Sequence, residues 1–120
     1  MTEKISDYIR KTSDYIRKTV EVASGIRVIC GSSVTELESG RECGSDNLCL
    51  VTKRGTELLD SSPYFIDLQS ATLEGNEILI KWERQEERYE RREVDTYYGP
   101  DCYIEKVIRP RKCEKRIPIH

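Results

Sequence analysis

Ser6-Asp7-Tyr8-Ile9-Arg10-Lys11-Thr12 is followed without a gap by Ser13-Asp14-Tyr15-Ile16-Arg17-Lys18-Thr19, the same seven residues written twice. Seven residues nearly close two turns of an α-helix, so successive copies keep their faces with a drift of only about 20°. Read this way, residues 2–24 predict an amphipathic helix, with Gly25 just past its end. Ile5, Tyr8, Ile9, Tyr15 and Ile16 fall on its apolar side. Asp7, Arg10, Lys11, Asp14, Arg17 and Lys18 fall on the other, where spacings of three and four residues pair opposite charges. A coiled coil is disfavoured because Tyr and Thr would occupy the seam. The apolar stripe must therefore pack on the chain's own sheet or on a partner.

Outward from the repeat the pattern turns to β-structure. Ile26 to Cys30 is a β-rich run, and Leu48 to Lys53, Tyr64 to Leu68 and Glu77 to Trp82 read as further strands. Ser33 and Glu36 fit a capping box for a short helix over 34–39, and residues 44–47 read as a turn. Residues 81–93 are almost all charged and carry no apolar stripe, which favours a strand of a charged hairpin over a helix. Val94 to Tyr98 and Cys102 to Ile108 complete that hairpin, with Pro100 and Asp101 suited to the centre of its turn. Pro110 is expected to end the ladder and leave 110–120 as a basic tail. The expected fold is a single α+β domain over 1–120. An N-terminal helix would pack on a mainly antiparallel sheet of five or six strands, extended by the C-terminal hairpin.

Composition bounds the function classes. The 120 residues carry a net charge of −2 although 35% are charged, which is not the basic excess of a general nucleic-acid binder. Fifteen Glu against seven Asp, with two Asn and two Gln, is a thermophile-like bias. It suggests an accessory protein of a thermophilic archaeon or its virus. No apolar run has the length of a transmembrane helix, and the first residues lack a signal-peptide core, so an intracellular location with no membrane partner is expected.

The one histidine is His120, which removes most Ser-His, Cys-His and His-metal arrangements. Cys43 and Cys49 bracket the expected turn and suggest a disulfide, an attested intracellular feature in hyperthermophiles. Cys30, before Gly31-Ser32-Ser33, reads as a core cysteine. No Cys pair has zinc-knuckle spacing, and no cofactor is implied. Three functions follow. The leading one is a non-enzymatic interaction protein that binds a protein partner or itself through the helix or the 88–109 hairpin. An alternative is a nucleic-acid module using Arg88, Arg91, Arg92, Arg109 and Arg111 among the tyrosines of the last third. The third is a metal-dependent hydrolase with Asp67 and Glu77 near Lys81.

Overall fold

The computed structural model describes residues 9–119, and among them there is no helix. Seven antiparallel strands form two sheets. The first contains β1 (Ile9–Ala23), β2 (Ile26–Leu37), β3 (Glu42–Thr52) and β4 (Gly55–Ser62) in that order. The second contains β5 (Ile66–Glu74), β6 (Glu77–Thr96) and β7 (Gly99–Pro118). The fold is therefore all-β, which overturns the α+β expectation. The anticipated helix is strand β1, and the anticipated 34–39 helix and 44–47 turn lie inside or against β2 and β3. Ile5 and Tyr8 lie outside the described residues.

A seven-residue repeat should not suit a strand, because an odd step flips every side chain to the opposite face. The register shows how this chain avoids the flip. Ile9 pairs with Leu37 and Ile16 with Gly31, so seven steps along β1 match six along β2. Each copy of the repeat carries one register shift, between Ile9 and Lys11 and again between Ile16 and Lys18. A β-bulge inserts one unpaired residue, so heptad minus bulge is an even number and the backbone returns to the same phase against β2 after seven residues. Helix and bulged strand thus share a period in this segment, and periodicity alone could not separate them.

The sheets pack face to face. Val28, Cys30, Leu48 and Leu50 of the first meet Ile66, Leu68, Ile78, Ile80 and Trp82 of the second in one buried cluster. Alternation along β2, β3 and β6 supplies these residues, as a half-buried antiparallel strand requires. The bulge in the second heptad aims Arg17 into the seam between the sheets. Its guanidinium donates to the Ile66 carbonyl at 2.6 Å, to Ser32 Oγ at 2.6 Å and to Asp46 Oδ2 at 2.9 Å. Asp46 in turn accepts from the Ile66 amide at 2.8 Å, and Lys18 Nζ donates to the Leu68 carbonyl at 2.7 Å. Ile66 and Leu68 lie on the outer edge of β5, where backbone groups have no strand partner. Side chains of the first sheet thus close an edge that would otherwise be open. In a helix Arg17 and Lys18 would lie on the polar face, away from any such edge.

At the other side of the seam, Asp60 of β4 accepts from Trp82 Nε1 at 2.8 Å and from Arg84 Nη1 at 2.6 Å. Gly31 permits the close approach of β1: a Cβ there would sit 2.2 Å from the Tyr15 carbonyl oxygen. The radius of gyration is 20.0 Å, against about 14 Å for a compact chain of this length. Much of that excess comes from the hairpin, which outruns the body.

A candidate interaction arm

Strand β6 pairs with β5 only as far as Arg84, yet it continues to Thr96 with β7 as its single partner among the described residues. Residues beyond Glu86 therefore form a two-stranded ribbon about 35 Å long at the usual rise per residue. An isolated two-stranded ribbon is marginal in water. Here the ribbon's two faces are built differently.

The pairing register is unbroken, so opposed residues share a face. On the face that continues from Trp82, Arg111 pairs with Glu86 at 3.0 Å. Arg109 reaches Glu90 through both Nε and Nη2, at 3.1 and 3.0 Å. Glu90 also meets Arg92 at 3.3 Å, and Arg92 Nε donates to Glu105 at 2.7 Å. These contacts make two cross-strand groups, Arg111 and Glu86 at the base and Arg109, Glu90, Arg92 and Glu105 further out; networks of this kind are where exposed ion pairs have most effect. The hydrogen bonds from Arg109 hold the Glu90 carboxyl below its ordinary pKa.

The opposite face carries Tyr89, Ile104, Ile108, Cys102 and Pro110. Tyr89 and Ile104 are 69% and 66% exposed. At its base Tyr64 Oη donates to Glu87 Oε1 at 2.8 Å, and Lys106 Nζ lies 3.1 Å from the same oxygen. These bonds lower the Glu87 pKa, the Tyr64 contact first, and raise that of Tyr64. Apolar residues of β7 occupy both faces of the arm, with Tyr103 and Val107 on the ion-pair face and Ile104 and Ile108 opposite. Within the body Cys113 and Ile117 point toward the core cluster, whereas Ile104 and Ile108 point the other way. The tip is a two-residue turn, Tyr97-Tyr98, at 96% and 94% exposure. It replaces the Pro100-Asp101 turn expected from sequence. The two rings stand edge to face, with centroids 5.3 Å apart.

Pro110 does not end the ladder, and residues 110–118 are strand rather than tail. Gln85 donates its amide to Phe65, on the β5 side, so its cross-strand neighbour Pro110 turns its nitrogen to the free edge of β7. Pro100 and Pro118 have the same parity. All three prolines thus lie where no donor is required, and they interrupt the edge against strand addition. The two faces and the tip are the surfaces of the arm that remain open.

The other sequence-derived residues are placed as follows. Arg88, Arg91, Arg92 and Arg109 lie on the arm and Arg111 at its base. Arg91, Arg92, Arg109 and Arg111 are all paired with glutamates. Tyr15 and Ile16, at the second bulge, are 58% and 66% exposed. Cys43 and Cys49 both lie on β3, six residues or about 20 Å apart along an extended strand, so they cannot form the expected disulfide. All five cysteines are free. Burial raises the pKa of Cys30, Cys49 and Cys113, which keeps these thiols protonated. Cys30 donates to the Ile66 carbonyl at 3.1 Å, inside the seam. Asp67 pairs across from Glu83 and Glu77 across from Glu74, which separates the two proposed hydrolase acids by about 20 Å along β6. Among the described residues no group of His, Cys, Asp or Glu is placed to hold a metal, and no helix is long and apolar enough to cross a membrane.

Sequence reasoning found the arm and its charges but missed the apolar face. The signal was the alternation Cys102, Ile104, Ile108, Pro110, broken once by Lys106. No protein-family model matches the chain, and neither the curated proteins nor the solved structures contain a match.

Proposed function

We infer that this chain is a protein-interaction module whose arm docks on a protein surface. The observation that carries the reading is the exposed apolar group Tyr89, Ile104 and Ile108 on one face of a ribbon that lies beyond the chain's own core and is braced by ion pairs. Exposed apolar side chains grouped on one face of a projecting element mark interaction surfaces, and tyrosines such as Tyr97 and Tyr98 combine apolar area with a hydrogen-bonding tip. Nucleic acid has less support. Between Glu86 and Arg109 seven carboxylates outnumber five cations, and most of the arginines already hold a glutamate.

The test compares the wild-type chain with an Ile104→Ser/Ile108→Ser variant and a Tyr97→Ser/Tyr98→Ser variant. Sedimentation reads self-association, and cross-linking from Cys102 reads a partner. Loss of the complex in both variants, with an unchanged β-type circular dichroism spectrum, is the expected result. Complexes that survive both variants exclude the arm. Binding to single-stranded DNA at low salt that is lost on Arg91→Glu/Arg92→Glu would move the reading to nucleic acid.

A further inference from the structure

Four segments meet at the end of the sandwich opposite the arm. They are the β1–β2 turn at Ser24 and Gly25, the β3–β4 turn at Lys53 and Arg54, the start of β6, and the last residues of β7. Between them lies a cavity of about 470 Å³. Its walls are mainly apolar, with Ile26, Leu50, Ile78, Ile117 and Ile119 joined by Ser24 and Thr52. Ile78 and Leu50 belong to the core cluster, and Ile26, Ile117 and Ile119 pack against it, so the core itself forms the apolar wall of the cavity. The wall is held in place, since the Ile119 amide donates to the Asn76 carbonyl at 2.8 Å.

The rim is where the charge lies. Lys53 and Arg54 border the cavity with Glu57, and neither cation is in an ion pair among the described residues. This differs from the arm, where most arginines have a carboxylate partner. A pocket of this size with mainly apolar walls and a few polar groups at one side has the make-up of a small-molecule site. An apolar tail would fill the volume between the isoleucines. An anionic head would lie at the mouth, where the two cations exceed the single acid.

We propose that this cavity binds an amphipathic carboxylate, an unbranched acyl chain ending in –COO⁻, with its tail among Ile26, Ile78 and Ile117 and its head between Lys53 and Arg54. The site shares no residue with the arm, so its failure leaves the interaction reading untouched. The probe is decanoate, titrated at neutral pH into the full chain carrying labelled isoleucine methyl groups. Decanol serves as the uncharged analogue and acetate as the head alone.

Decanoate is expected to shift the Ile26, Ile78, Ile117 and Ile119 methyl signals saturably while leaving Ile104 and Ile108 unmoved. Acetate is expected to do nothing. Lys53→Glu/Arg54→Glu should weaken decanoate at least tenfold and leave decanol unchanged; these turn positions are exposed, so the variant keeps the fold. Leu50→Phe, which fills the cavity, should weaken both probes, and Leu50→Met at similar volume should restore them. No saturable shift in the wild type overturns the proposal, as do shifts confined to the arm or equal decanoate affinity in the charge-reversed variant.

Discussion

Single residues at the sheet–sheet seam decide more than their number suggests. Gly31 has no room for a side chain, since the Tyr15 carbonyl would meet its Cβ at 2.2 Å. Gly31→Ala is therefore expected to push β1 off β2 at the bulge, with a cost of roughly 1–3 kcal/mol. Urea unfolding reads that loss. Gly44→Ala, whose Cβ would find only ordinary contacts at 3.5 Å, is the control and should cost far less. None of this was legible in the letters Gly31-Ser32-Ser33, which look like a capped helix start until the neighbouring strand is known. Cys30 was readable as a core cysteine because it ends a β-rich run. Asp46 was not, because its partners Arg17 and Ile66 are far away in sequence.

Among the elements, β1 and the arm carry opposite lessons. The arm was legible because charge without an apolar stripe suits a ribbon wet on both faces, and its pairing partner lies close in sequence. Strand β1 was not, because its bulges give a strand the repeat length of a helix. Tyr64, Glu87 and Lys106 fix the arm's base and Glu90 its middle, so the arm has a pH dependence of its own. Glu87 and Glu90 have folded pKa values below the ordinary carboxylate range. Their contribution is present above that range and is lost as pH falls through the lowered values. Tyr64 has the opposite sign: its pKa is raised by the bond to Glu87, so its contribution is present at neutral pH and is lost only as pH rises through the raised value. Amide exchange at pH 7 and pH 3 should thus show the arm losing protection before β2 and β3. Tyr64→Phe should bring part of that loss to neutral pH. Simultaneous loss in arm and core would refute a separate titration of the arm.

On the scale of the molecule, the core cluster draws on both sheets but on nothing between Glu83 and Lys112. Body and arm are thus separable in stability though continuous in strand. Replacing residues 87–108 with an Asn-Gly turn should leave cooperative urea unfolding in place, with a nearly unchanged midpoint. A collapse of the transition would show that the arm supports the body. The 65 × 48 × 24 Å outline also places the two proposed sites at opposite ends, the acyl cavity under the turns and the tyrosine tip at the far extreme.

The bulged heptad has a consequence for how such a chain can change length. In an ordinary strand, gaining or losing an odd number of residues inverts everything beyond the event, and the protein is lost. Here each copy carries its own parity correction, since seven residues of β1 consume six of β2. A slip of one whole copy during replication leaves every later side chain on its proper face, Arg17's position in the seam included. The repeat is an indel-tolerant cassette, and β1 is a strand that evolution can lengthen or shorten in steps without redesigning the sandwich.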